Sequence, residues 1–150
     1  METTKVQRCQ WAENNLLMQH YHDTEWGIPV HDDTLHFEFI VLDTFQAGLS
    51  WLTILKKRED FRLAFDNFDF TKVSLYDKNK IESLMVNEKI IRNRMKIEAT
   101  INNANKFQEI VKEYGSFDQY IDFTVRTSAS AIAEIAISPF AVSFSSLRIS

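Results

Sequence analysis

The chain has 150 residues, of which 45% are hydrophobic and 25% are charged, so it fits one globular domain with a single core. A lone cysteine excludes an intrachain disulfide, and no apolar run suits a signal peptide or a membrane span, which predicts a cytoplasmic protein. The net charge of −4 does not indicate a nucleic-acid-binding protein, although it does not exclude a local basic face.

The first part of the chain predicts helices with few interruptions. Residues 12–21 are consistent with a short helix. Residues 32–58 predict helix almost throughout, with an aspartate at either of the first two positions as the N-cap. Residues 39–42 are apolar on all sides of this helix and are therefore expected to be deeply buried. Gly48 predicts a break or a close approach of another helix.

The following part predicts further helices. Asp69 and Asp77 are candidate N-caps of two short helices. The clearest helical period runs from about residue 90 to residue 114, where apolar residues recur in steps of three and four, and Gly115 follows as a C′ residue. Ser116 can cap one more helix. No repeat and no strand-like alternation accompany these elements, so the predicted fold class is all-α.

The composition changes after about Phe123. The segment from Thr127 to Ser150 is rich in Ser, Ala and Ile, contains no Lys, and has no clear amphipathic period. It is compatible with a poorly formed helix, a strand or an irregular tail. The sequence therefore predicts a helical domain over residues 1–123 and an atypical C-terminal tail over residues 124–150.

Asp43 is the acidic residue whose predicted position is hardest to explain by packing of the core. In a helix its neighbours one turn away include Phe39, Ile40 and Ala47, so its carboxylate projects from an apolar surface. Because an unpaired buried carboxylate is costly, Asp43 is expected to have either a structural partner or a function. Trp51 follows closely and either belongs to the core or stacks on a flat ligand.

Cys9 and His22 carry the side-chain types that zinc prefers. His20, His31 and His36 are further candidates, but none lies at a convincing spacing to complete a tetrahedral set. On spacing alone, Cys9 is a small buried hydrophobic residue. A nucleophilic cysteine with a histidine base is the other alternative, although no helix N-terminus or third orienting group accompanies it.

Basic side chains gather in two groups. The first contains Lys56, Lys57 and Arg58, and the second contains Lys89, Arg92, Arg94 and Lys96. Each group is either an ordinary solvated helix face or part of a basic surface for nucleic acid.

Four strings of this sequence resemble the 3-methyladenine DNA glycosylase I family. They are CQW from Cys9, YHDTEWG from Tyr21, LDTFQAGLSW from Leu42 with LKKRE from Leu55, and IIRNRMKI from Ile90 followed by Asn103-Ala104. They occur in the family's order and cover about residues 6–123. Together they are far more specific than a single short motif.

The resemblance implies a fold and an activity. The fold is a helical glycosylase of the helix-hairpin-helix superfamily. The activity is hydrolysis of the N-glycosidic bond of 3-methyladenine in alkylated DNA. The implied partners are damaged DNA and the excised base. A membrane and an organic cofactor are not implied, and the protein is expected to be a monomer.

The resemblance also implies roles for matched positions. Asp43 takes the place of the catalytic pocket acid, which is Glu in the best-known members. Tyr21 and Trp51 match aromatic residues that bind the base, and Trp11 and Trp26 match rings close to that pocket.

Structural zinc is the cofactor that the resemblance implies, with Cys9 and His22 as two of its ligands. Family members complete the site with a later His and Cys, whereas here no His follows His36 and no Cys follows Cys9. The ligand set is therefore expected to be incomplete, and the segment after Phe123 does not match the family. A truncated or frame-shifted relative accounts for both. The alternatives to an active glycosylase are an inactive DNA- or base-binding remnant and a helical interaction domain.

Overall fold

The computed structural model describes residues 7–127, without the side chains of residues 126 and 127, and its regular structure is helical. The α-helices are α1 (Leu16–Thr24), α2 (Asp33–Gln46), α3 (Trp51–Ala64), α4 (Phe70–Val73), α5 (Lys78–Val86), α6 (Arg94–Tyr114) and α7 (Phe117–Thr127). No strand occurs within residues 7–127, which agrees with the predicted all-α class. Over the same range, no helix has both the length and the apolar character that crossing a membrane requires.

The predicted helix over residues 32–58 consists of two helices, α2 and α3. The break lies at Gly48, as predicted, because Gly48 adopts a φ of +82°, where a residue with a Cβ is strained. Ser50 begins α3 by accepting a hydrogen bond from the Thr53 N–H at 3.2 Å. The turn between the two helices therefore places the end of α2 next to the start of α3.

Both ends of α2 are fixed by residues from the second half of the chain. At the N-terminus, Asp33 accepts a hydrogen bond from the backbone N–H of Phe117, at the start of α7, at 2.8 Å. At the C-terminus, the Lys96 ammonium donates to the carbonyls of Phe45 at 2.8 Å and Ala47 at 2.7 Å. There its positive charge interacts favourably with the negative end of the helix dipole. Contacts with α6 and α7 thus hold α2 at both ends.

Phenylalanine rings dominate the core. The fully buried rings are Phe37, Phe45, Phe61, Phe65 and Phe68. The centroids of Phe45 and Phe61 lie 4.7 Å apart, a distance at which a ring pair contributes about 0.5–1.5 kcal/mol beyond its area burial.

The prediction that residues 39–42 are all deeply buried is half wrong. Val41 and Leu42 are fully buried, whereas Phe39 and Ile40 are half-buried. The reason is that α2 turns only one face towards the core.

The predicted helical period over residues 90–114 is confirmed, with a later start. Helix α6 begins at Arg94 because Asn93 is the N-cap and accepts a hydrogen bond from the Lys96 N–H at 3.1 Å. Gly115 follows α6 with a φ of +88°, as predicted for a C′ residue. A Cβ at this position would meet the side chain of Gln119 at 2.6 Å.

The capping predictions are confirmed for three short elements. Asp69, Asp77 and Ser116 accept backbone hydrogen bonds at the starts of α4, α5 and α7. The first predicted helix is shifted, because Asn15 caps α1 and accepts from two backbone N–H groups of its first turn. A short 3₁₀ turn, Gln10–Ala12, precedes it.

The predicted boundary at Phe123 falls inside a helix. Helix α7 begins at Phe117 and continues to Thr127. The remainder of the predicted tail, residues 128–150, lies outside the described residues.

Candidate functional site

A cavity of about 290 Å³ lies between residues 11–26 and the α2–α3 pair. This volume is close to the lower end, about 300 Å³, of the range for small-molecule sites. The cavity is lined by Trp11, Met18, Tyr21, Trp26, Asp43, Gln46 and Trp51. All five residues that the sequence assigned to catalysis or base binding therefore share one cavity.

Two parts of the chain form its walls. We define the N-terminal arm as residues 7–28, which contain the 3₁₀ turn, α1 and the turn that carries Trp26. The opposite wall contains Asp43 and Gln46, one turn apart near the end of α2, and Trp51, the first residue of α3. The break at Gly48 allows both helix ends to face the same space.

The rings of the cavity contact one another at tilted or edge-to-face angles. Tyr21 and Trp51 form the contact across the cavity, with centroids 5.3 Å apart and planes at 59°. Trp11 and Trp26 lie 5.6 Å apart at 74° within the arm. Tyr21 and Trp51 therefore do not cover each other's faces, which leaves these two rings able to stack on a flat ligand.

Asp43 has no hydrogen bond or ion pair to its carboxylate among residues 7–127, although the residue is half-buried. Burial raises the pKa of this carboxyl to about 6. Asp43 also lies in the last turn of α2, where the negative end of the helix dipole further destabilises the ionised carboxylate. The structural ion pair that was the alternative reading of Asp43 is therefore not found in this part of the chain. A carboxylate in this setting favours a cation or a hydrogen-bond donor as its ligand.

Tyr21 faces the same space. Burial, and next the charge of Asp43, raise the pKa of Tyr21 to about 12. Its hydroxyl therefore stays protonated at neutral pH and can donate a hydrogen bond.

Met18 and Gln46 line the cavity but were not identified from the sequence. Met18 precedes Tyr21 by three positions, and Gln46 follows Asp43 by three positions, so each lies beside a predicted site residue on the same helix face. This spacing is the signal that would have found them. Gln46 brings an amide that both donates and accepts hydrogen bonds.

Cys9 and His22 lie next to each other, but the contact between them is a hydrogen bond and not the shared coordination of a metal ion. The Cys9 backbone N–H donates to His22 Nε2 at 3.3 Å, while His22 Nδ1 lies 3.0 Å from an oxygen of Asp23. The His22 ring also stacks on Trp26, with centroids 5.2 Å apart and planes at 20°. His22 therefore supports the ring cluster of the arm.

The residues present do not fit a closed zinc site. Within residues 7–127, no group of three or more His, Cys, Asp and Glu side chains is arranged to hold a metal ion. Of the other candidate histidines, His31 lies 3.0 Å from an oxygen of Asp118 and His36 is buried where α2 meets α7. Two ligands alone leave a tetrahedral structural site incomplete.

Several side chains of the two basic groups make contacts within the protein. Arg58 is 7% exposed and is ion-paired, and Lys96 holds the end of α2. Lys57 donates to the carbonyl of Lys89 at 2.8 Å. The reading of these two groups as ordinary solvated helix faces is therefore wrong for Arg58 and Lys96.

The sequence model of the methyladenine glycosylase family matches residues 11–145 of the chain. This match extends beyond Phe123, so the expectation that the family resemblance ends there is wrong. DNA-3-methyladenine glycosylase 1 of Escherichia coli (strain K12) is 38% identical over 138 residues, which cover 89% of this chain and 74% of that protein. DNA-3-methyladenine glycosylase of Haemophilus influenzae is 41% identical over 114 residues, covering 76% and 62%. The chain thus spans less than two thirds of the Haemophilus protein.

A solved structure gives the same result for the fold. It is that of 3-methyladenine DNA glycosylase I from Staphylococcus aureus, described as showing the structural basis of 3-methyladenine recognition. It superposes with a TM-score of 0.75 at 36% identity, covering 81% of this chain and 64% of that one. The motifs, the helical fold and these matches agree, and the chain belongs to the methyladenine glycosylase family.

Proposed function

We propose that the protein binds alkylated DNA and hydrolyses the N-glycosidic bond of 3-methyladenine. The observation that carries this proposal is the Asp43 carboxylate, which has no protein partner in residues 7–127 and faces a cavity walled by aromatic rings. The names of the relatives support it. We further propose a cytoplasmic monomer, an expectation that rests on the sequence alone.

The chemistry of the lesion matches the cavity. Methylation at ring nitrogen 3 makes adenine cationic in DNA and weakens its bond to the sugar. Extruding a damaged base costs a few kcal/mol, and stacking returns about 1–3 kcal/mol per base. A desolvated cation over an aromatic face adds about 2 kcal/mol. The rings of Trp51, Tyr21, Trp11 and Trp26 supply such faces.

Asp43 is the proposed catalytic residue. Its carboxylate accepts a hydrogen bond from the exocyclic amine, an interaction of about 1.5–3 kcal/mol, and its charge stabilises the positive base and sugar as the bond lengthens. Water attacks the sugar carbon, the bond to the base breaks, and its electron pair stays on the base, which leaves neutral. The attacking water becomes the sugar hydroxyl and gives its second proton to the solvent. Tyr21 can donate a hydrogen bond to the same ligand.

The competing function is that of a DNA- or base-binding remnant without activity, which the incomplete zinc ligand set favours. A base-release assay on methylated DNA, with the protein in excess, separates the two. We expect released 3-methyladenine above a buffer control. DNA binding without base release would identify the remnant, and the absence of both would identify a helical interaction domain.

We propose that zinc is held weakly or substoichiometrically, because Cys9 and His22 are two ligands of an otherwise incomplete set. Metal analysis after gel filtration should find well below stoichiometric zinc. Cys9→Ser should then leave the melting temperature nearly unchanged, and a chelator should have no effect on either protein. A tightly held stoichiometric zinc, lost in Cys9→Ser, would contradict this and show that other groups complete the site.

A further inference from the structure

The N-terminal arm supplies most of the cavity but has little buried surface of its own. Trp11, Met18, Tyr21 and Trp26 all come from the arm. Within residues 7–28, however, only Ala12 is buried, and α1 contains no buried residue. Since buried apolar area is the main source of packing energy, the arm is weakly held by packing alone. Its position against the opposite wall must depend on specific contacts.

One buried side chain makes such a contact between three elements. The guanidinium of Arg58, in α3, donates to Glu38 in α2 through Nε. It also donates through Nη1 to both carboxylate oxygens of Glu25, at 2.8 and 2.7 Å, at the end of the arm's helix. The side chains of Arg58 and Glu38 are only 9% and 6% exposed, and the guanidinium lies 5.2 Å from the centre of the Phe39 ring. Planar, charge-assisted contacts of this kind fix orientation as well as distance.

Glu25 is joined directly to the cavity rings. Its backbone N–H and that of the next residue, Trp26, both donate to the carbonyl of Tyr21 at 2.9 Å. Holding the Glu25 side chain therefore fixes the turn from which the rings of Tyr21 and Trp26 project. Glu38, the second carboxylate that Arg58 binds, lies on the helix that carries Asp43.

We propose that Arg58 is a positioning residue, which binds both Glu25 and Glu38 and so sets the separation between the N-terminal arm and the wall that contains Asp43. We call this contact of three residues the clasp. This inference rests on the proposed function for its substrate but not for its geometry. Buried ion pairs add little net stability compared with apolar packing. The main effect of the clasp is therefore expected on the cavity and not on unfolding.

The test is made on the Glu25 side. Removing Arg58 would leave the buried Glu38 with Arg62 as its remaining ion-pair partner among the described residues and could unfold the protein, whereas the Glu25 side chain is 26% exposed. Glu25→Gln keeps the shape but removes the charge that Arg58 holds. Glu59→Gln is the matched control. Glu59 is 80% exposed and pairs with Arg62, which also pairs with Glu38, so this variant removes a carboxylate of the same network but leaves the Arg58–Glu25 contact in place.

The chain offers a direct optical readout, because its three tryptophans, Trp11, Trp26 and Trp51, all line the cavity. In Glu25→Gln we expect acrylamide quenching of tryptophan emission to rise about twofold. Affinity for free 3-methyladenine should fall about tenfold, as for an arm that is correctly placed in roughly one molecule in ten. The melting temperature should change by no more than in Glu59→Gln.

Quenching and base affinity equal to those of Glu59→Gln would overturn the proposal. A lower melting temperature with unchanged quenching and affinity would overturn it as well, because the pair would then be structural only. If the wild-type protein binds no base, the proposed function fails, but the quenching comparison still decides the role of the clasp.

Discussion

Replacing Asp43 with asparagine is expected to lower both 3-methyladenine affinity and base release by about 10- to 100-fold, the equivalent of losing a charged hydrogen bond of about 1.5–3 kcal/mol. The substitution keeps the size of the side chain. It replaces one acceptor oxygen with a donor amide, which weakens binding of the free, neutral base, and it removes the charge that favours the cationic base in DNA, which slows base release. Isothermal titration with the free base and single-turnover base release measure the two effects.

The same variant should be as stable as the wild type, or more stable. Burial raises the pKa of Asp43 to about 6, above the ordinary value of 3.8, so the folded protein binds a proton more readily than the unfolded chain. Ionised Asp43 therefore lowers stability at neutral pH, and this loss is relieved as the pH falls from about 6 towards 4. The wild-type protein should lose base affinity over the same acidic range, whereas Asp43→Asn should show neither change.

Asp60→Asn is a suitable control, because Asp60 lies in α3, outside the cavity, and forms a long ion pair with Lys89 at 3.9 Å. It should change neither base affinity nor its pH dependence. A large loss of stability in Asp43→Asn with unchanged base affinity would identify Asp43 as a structural residue and would remove the basis of the pocket assignment.

Trp51→Ala should have the larger effect on the fold. The ring packs against the hydrophobic core and against Tyr21, so its truncation is expected to cost about 3–5 kcal/mol and to lower the melting temperature by about 10 °C or more. It also removes a stacking face worth about 1–3 kcal/mol per base. Base affinity measured well below the melting temperature should therefore fall about tenfold or more.

Trp51→Phe separates stacking from packing. The Trp51 Nε1–H is buried without a hydrogen-bond partner among the described residues, and phenylalanine removes that unpaired donor while keeping an aromatic face. We expect most of the base affinity and stability to remain. Unchanged base affinity in a folded Trp51→Ala protein would show that the ring is part of the core only.

The part of the site formed by Asp43 and Trp51 was predictable because these residues are near neighbours in sequence, whereas Tyr21, Trp11 and Trp26 were assigned through the family resemblance. Asp43 and Trp51 are separated by a predicted break at Gly48, and both line the same cavity. N-caps such as Asp69 and Asp77 were also predictable, because a cap depends on the next three residues alone.

The contacts that hold the site together were not predictable in this way. Arg58 and Lys96 were assigned to basic groups on the strength of their neighbours in sequence. Their actual partners come from distant segments, since Arg58 binds Glu25 at a separation of 33 residues and Lys96 binds Phe45 at a separation of 51. A local sequence pattern does not predict such pairs, because a charged residue considered alone is just as compatible with exposure to solvent as with a distant partner.

The anchoring of α2 at both ends has a consequence for which side of the cavity can move when a base enters. Lys96 holds the end of α2, and Asp33 ties its start to α7, so the wall that carries Asp43 is a rigid support. The facing wall, the N-terminal arm, has Ala12 as its one buried residue within residues 7–28 and depends on the Arg58–Glu25 contact for its position. Any change in the width of the cavity when a base enters is therefore expected to come from the arm, while Asp43 keeps its position.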